Sequence, residues 1–457
     1  MKRALFAFTA LLTTTAVVFV VALATILPTT EKVTFSANPQ YLVGDPANVQ
    51  GLQLVAETQM DGQLHWTTTF TPAEPPSCES QFRFSAQSEP VLYTPSTTDP
   101  QLTITSFINI TVTSGDVFDY NSTSYPGYRD MVQDVASRAP AQGGSYTETV
   151  MLRDYLKFYP ISIECYDWHL MGYSSYQTVD LSNVFPIPIA GNETAEITVT
   201  VQPDGTISGF SFYSPEMPYI TAKAVYFQDA FYVPFPYDVM DLDLDDTAVT
   251  PGLYRLPLMR TEDDAGMVDV SRVELVAPMD APAQAMAITG NGQQLALVTS
   301  ATDSHPNRLT LIDLATGTQR QQFDLDNTNW VMAFYAADDH IVYMGTHRTQ
   351  QGQLGQSTVK AWRLEEDGTF SPFLSTTVPD NMPSYGGSSI TSILRGDTLY
   401  TLSHPISGPP TYITLVVYDP QGCRYAADLT MSQNQDSDAT LHLITLTDLR
   451  LEFTSPD

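Results

Sequence analysis

The stretch RLTLIDLATGTQRQQFDL, residues 308–325, decides the fold. It contains two strand-like runs, and the turn between them holds Gly317 in a Thr-Gly pair. Extended runs that meet at a short turn containing glycine are typical of a β-hairpin. The stretch therefore predicts two antiparallel strands.

The same arrangement recurs along the chain as a repeat. Five such hairpins have turn glycines separated by about 50 to 60 residues, a spacing typical of repeat folds. A second pair of strand-like runs precedes four of the hairpins. Four strands in a unit of about 50 residues are typical of a β-propeller blade. The turn glycines are Gly205, Gly266, Gly317, Gly368 and Gly422.

Residues 222–429 resemble the YVTN-type and related extracytoplasmic β-propeller repeat proteins. The similarity is carried by AITGNGQQLALVTS, residues 287–300, which looks like an inner-strand pair of that family, and by the hairpin 308–325 that follows it. The resemblance implies a fold and not a chemistry, because one fold hosts many functions. Members of the family include binding modules, scaffolds and lactone hydrolases.

The two ends of the chain predict how the propeller closes. TLHLITLTDLRLEF, residues 440–453, contains two strand-like runs, and LQLVAETQMDGQLHWTTTF, residues 52–70, looks like an outer hairpin without inner strands. Joined, they would form one blade and hide the edges that an open ring exposes. We therefore predict an all-β chain with a single propeller of seven blades, eight being the alternative. PGYRDMVQDVASRAP, residues 126–140, predicts a short helix with Pro126 in its first turn.

The N-terminal region predicts a membrane segment. Residues 4–27 carry no charge and would extend about 36 Å as a helix at about 1.5 Å per residue, enough for a hydrocarbon core of about 30 Å. The basic residues before them place the N-terminus in the cytoplasm. A signal peptide cleaved after Ala24 is the alternative, and it would release a secreted protein. The predicted parts are a cytoplasmic tip at 1–3, a transmembrane signal-anchor at 4–27, a linker at 28–50 and an extracytoplasmic β-propeller at 51–457.

The charge of the chain bears on its partners. The sequence has 51 acidic and 20 basic residues and a formal net charge of -31. Such a charge repels polyphosphates, so we expect no nucleic acid partner. We expect the membrane as one partner, through the N-terminal helix, and an unidentified protein or glycan ligand as another.

One acidic stretch is a candidate cation site. In DVMDLDLDDT, residues 238–247, Asp241, Asp243 and Asp245 fill the first ligand positions of an EF-hand loop, but Asp246 stands where that loop needs glycine. On an extended segment the three aspartates share one face. This face is either a solvated strand surface or a nonstandard calcium site, since neighbouring carboxylates repel unless a cation or water screens them.

One aromatic cluster is a candidate recognition surface. YDWHLMGYSSY, residues 166–176, shows no clear strand period. Trp168, Tyr173 and Tyr176 could stack on a sugar or a partner protein if exposed, or could pack this segment onto the domain.

Motifs of nucleophilic and metal-dependent hydrolysis are absent from the sequence. It contains no GxSxG and no HExxH, and its seven histidines are dispersed. Cys78, Cys165 and Cys423 are too few for a disulfide scaffold, although a Cys78–Cys165 bridge and isolated thiols both remain open.

Two functions follow from these observations. The first is a membrane-tethered extracytoplasmic β-propeller, in a bacterial cell, that acts as a binding or scaffold module for a protein, peptide or glycan. The second is a calcium-dependent hydrolase of the lactonase type, whose metal would lie in the central channel on residues from several blades. The missing catalytic motifs favour the first function.

Overall fold

A computed structural model describes part of the chain, and the fold is that of the described residues. The described residues are 13–18, 20, 33–37, 39–60, 62–87, 102–106, 111–112, 126–140, 143–159, 161–165, 178–189, 191–213, 220–222, 224–235, 238–239, 249–260, 266–289, 292–302, 306–325, 330–337, 339–348, 354–379, 388–405, 412–433 and 445–454.

Among the described residues, the first half of the chain contains sixteen strands and the helix α1 (Pro126–Arg138). It also contains short 3-10 turns at Pro39–Tyr41, Pro46–Val49 and Leu152–Asp154 and helical residues at 13–18 and 20. These strands are β1 (Val33–Ala37), β2 (Val43–Gly44), β3 (Leu52–Met60), β4 (Leu64–Thr71), β5 (Ser77–Phe84), β6 (Leu102–Ser106), β7 (Thr111–Val112), β8 (Gly144–Met151), β9 (Ile161–Cys165), β10 (Thr178–Asp180), β11 (Thr194–Val201), β12 (Ile207–Tyr213), β13 (Ile220–Ala222), β14 (Val225–Phe227), β15 (Ala230–Phe235) and β16 (Asp238–Val239).

In the part of the second half that the structure describes, the chain continues with strands and a short 3-10 turn at Val270–Arg272. These strands are β17 (Gly252–Arg260), β18 (Gly266–Val268), β19 (Glu274–Pro278), β20 (Ala283–Ile288), β21 (Gln294–Thr299), β22 (Arg308–Asp313), β23 (Gln319–Asp324), β24 (Trp330–Ala336), β25 (His340–Arg348), β26 (Leu354–Leu364), β27 (Phe370–Thr377), β28 (Ser388–Arg395), β29 (Thr398–Pro405), β30 (Tyr412–Asp419), β31 (Gly422–Gln433) and β32 (Thr445–Phe453).

These strands form seven antiparallel sheets within the described residues, so the predicted all-β class is confirmed and the arrangement is consistent with a β-propeller. In strand order they are sheet 1 (β32-β3-β4-β5), sheet 2 (β10-β9-β6-β13-β16), sheet 3 (β7-β12-β11-β8), sheet 4 (β14-β15-β17-β18, with β19 on β17), sheet 5 (β20-β21-β22-β23), sheet 6 (β24-β25-β26-β27) and sheet 7 (β1-β31-β30-β29-β28, with β2 on β31).

The predicted hairpin at residues 308–325 is present as β22 and β23. Gly317 in its turn has φ +65°, and a Cβ there would lie 2.3 Å from the carbonyl oxygen of Val276. Both the left-handed backbone and the close approach require glycine at this position. The preceding strand pair, β20 and β21, completes a four-stranded unit in chain order, as the repeat predicts.

The chain divides into two compact units, residues 1–94 with 328–457 and residues 95–327. In the first unit, sheet 7 buries both faces. One face shares an apolar cluster with sheet 1, in which Trp66 and Leu415 take part. The other face shares a cluster with sheet 6, in which Val342 and Val416 take part. Strands buried on both faces are apolar at successive positions, which explains the solid apolar runs of the sequence.

The second unit contains a comparable stack. Phe231 of sheet 4 lies in one cluster with Ile161 of sheet 2, and Leu253 of sheet 4 lies in another cluster with Leu295 of sheet 5. Sheet 4 therefore also packs against a different sheet on each face.

Sheet 3 packs differently from the others. Met131, Val132 and Val135 of α1 are buried against the apolar face of this sheet, in a cluster that includes Ile197 and Phe210. The predicted helix is therefore present, and its one apolar face accounts for its position. On its opposite face, sheet 3 exposes polar side chains of β8 and β11 to solvent.

The two ends of the chain meet in sheet 1, as the sequence predicts. Strands β3 and β32 pair antiparallel from Leu52 opposite Phe453 onward. Arg450 of β32 donates to Glu57 of β3 at 2.9 Å and also contacts two carboxylates of its own strand. The C-terminal segment supplies one described strand instead of two, because the polar strand β5 joins β3 and β4 as the third N-terminal strand.

The predicted linker at residues 28–50 contains sheet structure in its described part. Strands β1 and β2 both pair with β31, so these residues belong to sheet 7. The backbone N–H of Phe35 lies 3.4 Å from the Sγ of Cys78. Cys78 is a free thiol, and the Cys78–Cys165 bridge is not formed.

The predicted membrane segment at residues 4–27 lies largely outside the described residues. Residues 13–18 and 20 are helical and exposed. Within the described chain, no helix has both the length and the apolar character needed to cross a membrane.

Candidate functional site

The predicted cation and recognition sites fall outside the described residues. This applies to Asp241, Asp243 and Asp245, and equally to Trp168, Tyr173 and Tyr176. Both sites therefore stay predictions. In the described parts of the chain, no group of three or more His, Cys, Asp and Glu side chains is arranged to hold a metal ion.

The structure instead brings together three residues that the sequence did not connect. His340, the first residue of β25, is 1% exposed. Its Nδ1 lies 2.5 Å from Oδ1 of Asp339, and its Nε2 lies 2.7 Å from Oγ of Ser392 in β28. The hydrogen-bonded chain Asp339–His340–Ser392 thus joins sheet 6 to sheet 7.

The order of these groups is that of a Ser-His-Asp triad, but their burial is reversed. A catalytic serine must meet its substrate, whereas the aspartate behind the histidine is buried. Here Ser392 is 5% exposed, while the side chain of Asp339 is 57% exposed. The Ser392 hydroxyl is too buried to meet a substrate carbonyl in this arrangement, which suits a link between sheets better than catalysis.

The pKa of Asp339 and the surroundings of His340 agree with a structural role for these three hydrogen-bonded residues. The hydrogen bond from His340 holds the pKa of Asp339 below its usual value, against the opposing effect of partial burial. The side chain of Tyr335 lies beside His340, with ring centroids 6.2 Å apart. The sequence shows the Asp-His pair before a strand, but it contains no signal for Ser392 as its partner.

A second polar arrangement covers the exposed side of sheet 3, and we call it the hydroxyl face. Thr147 of β8, Thr198 of β11 and Ser211 of β12 stand opposite one another in the strand register. The Oγ1 atoms of Thr147 and Thr198 are 2.8 Å apart. In a neighbouring row, Oγ of Ser145 and Oγ1 of Thr200 are 3.1 Å apart.

The hydroxyl face follows from the strand period. Threonines alternate with Ile197 and Val199, whose side chains are buried against α1. Because successive side chains of a strand point to opposite faces, each Thr-x-Thr sequence places its hydroxyls together on the other side. Thr147 is exposed and Thr198 is half-buried.

The hydroxyl face carries one charge and one exposed aromatic ring. Glu196 stands between Thr149 and Tyr213 in the register, and Tyr213 is 55% exposed. Among the described side chains of this face, Glu196 is the charged one. The neighbouring Glu148 points to the other side, where it accepts from Arg138 of α1 at 2.7 Å.

The assignment of the fold rests on the strand pairing, because the comparisons with known proteins identify no family. No protein-family model matches the chain, and no curated protein matches it. The chain is similar to solved structures of TolB from Acinetobacter baumannii (9% identity over 83% of this chain and 80% of that chain, TM-score 0.23), a eukaryotic initiation factor (7%, 84% and 99%, 0.26) and a Synechocystis apocarotenoid oxygenase mutant (9%, 89% and 98%, 0.22). At such TM-scores these likenesses carry no argument about function.

Proposed function

We propose that the chain is a membrane-tethered extracytoplasmic β-propeller that acts as a binding or scaffold module for a protein, peptide or glycan. The observation that carries this proposal is the pairing of β3 with β32 in a sheet whose neighbour, sheet 7, is buried on both faces. Sheets packed in this way form a scaffold, and scaffolds present binding residues on their connecting loops.

The ring proposed from the sequence has seven blades, with eight as the alternative. The sequence-based count of seven includes the hairpin β11–β12, which belongs to sheet 3. A blade packs against another blade on each side, whereas sheet 3 packs against a helix on one face and meets solvent on the other. Sheet 3 therefore differs from a blade, and its strands and α1 alternate along the chain with the strands of sheet 2.

The membrane tether is tested by fractionation of cells that produce the full chain with a C-terminal tag. An uncut anchor keeps the tagged protein in the membrane pellet after alkaline extraction. Cleavage after Ala24 would release it to the soluble extracytoplasmic fraction and would contradict the tether.

The binding function is tested with the full chain purified in detergent. We expect it to bind a protein, peptide or glycan from arrays of all three classes, with unchanged affinity in chelator. The hydrolase alternative instead requires calcium, so it requires a higher melting temperature in millimolar calcium than in chelator and the opening of a lactone substrate. If the chain binds no ligand on any of the arrays, the proposed function is contradicted.

A further inference from the structure

We propose that the hydroxyl face of sheet 3 binds an uncharged, hydroxyl-rich polysaccharide chain. This inference rests on the proposed binding function and adds to it the surface and the class of ligand. It is carried by the exposed hydroxyl row of β8 with the half-buried hydroxyls of β11 and β12 beside it, by their near-neutral charge, and by the ring of Tyr213 at their end.

The hydroxyls of this face form a regular array. Neighbouring strands lie about 4.8 Å apart, and alternate residues of one strand are about 6.6 Å apart. Hydroxyls therefore recur in two directions over this face, at Ser145, Thr147 and Thr149 of β8 and at Thr198 and Thr200 of β11. An extended polymer that repeats its hydroxyls can meet several of them at once.

The hydrogen-bonding capacity of the face suits hydroxyl ligands. Each Ser or Thr hydroxyl has one donor and two acceptor lone pairs. The bond between Thr147 and Thr198 uses one donor and one lone pair, so both residues keep capacity for a ligand. A sugar hydroxyl both donates and accepts, so it can pair with the remaining donor or with the remaining lone pairs of these two residues.

The charge of the face argues against other ligands. The whole chain has a formal net charge of -31, yet the described side chains of this face contribute Glu196 alone. A polyanion is repelled by the chain as a whole, and a polycation finds stronger attraction on other surfaces. This face therefore favours an uncharged partner more than the other surfaces of the molecule do.

Tyr213 and Glu196 complete the arrangement. They are direct cross-strand partners, so their side chains stand on the same side of the sheet. An exposed tyrosine ring offers an apolar surface with a polar tip, which can cover the C–H face of a sugar ring. The carboxylate beside it accepts hydrogen bonds from sugar hydroxyls, and such bonds to an ionised group are the stronger ones.

The test uses the full chain in detergent and co-sedimentation with insoluble polysaccharides. The uncharged probes are microcrystalline cellulose, chitin and curdlan, and carboxymethyl-cellulose beads are the charged counterpart of the same backbone. We expect retention on one or more uncharged probes, insensitivity to salt, and no retention on carboxymethyl-cellulose. No retention on any uncharged probe would overturn the inference.

Variants locate the binding on the face. The triple change Thr147→Val, Thr149→Val and Thr198→Val removes three hydroxyls and keeps side-chain shape, and Tyr213→Ala removes the exposed ring. We expect each to weaken retention at least tenfold. Thr67→Val, on an exposed position of β4, is the matched control and should bind like the unmodified chain. Tyr213→Ala keeps the test decisive if the triple variant does not fold.

The outcomes separate this inference from the proposed function. Undiminished binding by the folded variants, or binding to proteins or peptides alone, would overturn the hydroxyl face as the site and leave the binding function in place. Failure to bind any class of ligand would overturn both.

Discussion

His340 has both ring nitrogens hydrogen-bonded although its side chain is almost fully buried. A buried polar atom that loses its hydrogen-bond partner is still shielded from water. The free-energy cost of removing that atom from water is then no longer offset. Ser392→Ala leaves the Nε2 of His340 without this hydroxyl, and we expect it to lower the free energy of unfolding by about 1–3 kcal/mol. Urea denaturation measures the change.

The matched control for this prediction is Ser375→Ala, at an exposed position of the edge strand β27 in sheet 6. Its effect should stay within about 0.5 kcal/mol, as for most surface substitutions. Equal effects of the two substitutions would contradict a link between sheets at Ser392.

Asp313 gives a pH-dependent prediction. The guanidinium of Arg320, followed by the hydroxyl of Thr316, lowers the pKa of Asp313 to about 2. Because this pKa lies below the unfolded value of about 3.9, the ionised group stabilises the fold above pH 4, and the contribution disappears as the pH falls towards 2.

We expect Arg320→Gln to lower the melting temperature at pH 6, and the difference from the unmodified chain to shrink between about pH 4 and pH 2. Melting curves over this pH range measure it. A difference that is the same at pH 6 and pH 2 would show that the ion pair is not the cause.

Contacts between single residues were the hardest feature to predict from the sequence. Asp339 and His340 are adjacent in sequence, but Ser392 belongs to another sheet, and its position depends on how two sheets stack. The strand period likewise places Thr147 and Thr198 each on one face of its strand, but only the register of β8 on β11 sets them opposite each other.

At the scale of elements, helix α1 makes a specific prediction about packing. Met131 is fully buried against sheet 3, and Met131→Ala leaves a cavity there. We expect a loss of about 2–5 kcal/mol in the stability of this packing. Hydrogen exchange of the β11 amides, which should become faster, reports on it locally.

Gln133→Ala, on the exposed side of the same helix, is the control. Both changes introduce alanine into α1, so helix propensity does not explain a difference between them. If β11 exchanges equally fast in the two variants, α1 does not stabilise sheet 3.

Elements were the most predictable scale. Hairpins with a turn glycine, such as that at Gly317, and the helix after Pro126 are confirmed because their signals are local. Strand β5, SCESQFRF, was missed because it has few apolar residues, and its pairing with β4 comes from its neighbour. Gly266 and Gly422, two of the predicted turn glycines, are each the first residue of a strand, β18 and β31.

At the scale of the whole molecule, the pairing of the two ends predicts the effect of truncation. A chain that stops after Ile444 lacks β32 and leaves the edge of β3 unpaired. Exposed edges associate with one another, so we expect a lower melting temperature and self-association in size-exclusion chromatography. A chain that stops after Thr454 keeps β32 and should match the full chain; identical behaviour of the two truncations would contradict the prediction.

The sequence predicted the meeting of the ends because both terminal stretches have incomplete strand sets. It did not predict that sheet 3 packs against α1, because the hairpin β11–β12 has the same local pattern as the others. The alternation of threonine with apolar residues was the available signal, since a strand with two buried faces would lack it.

The pairing of β3 with β32 also sets an order in time. During synthesis at about 5–20 residues per second, β3 is made roughly 20–80 s before its partner. Throughout that interval one edge of a nascent strand is open to other chains. Completion of the last strand, and not of the first repeats, is therefore the event that closes this edge.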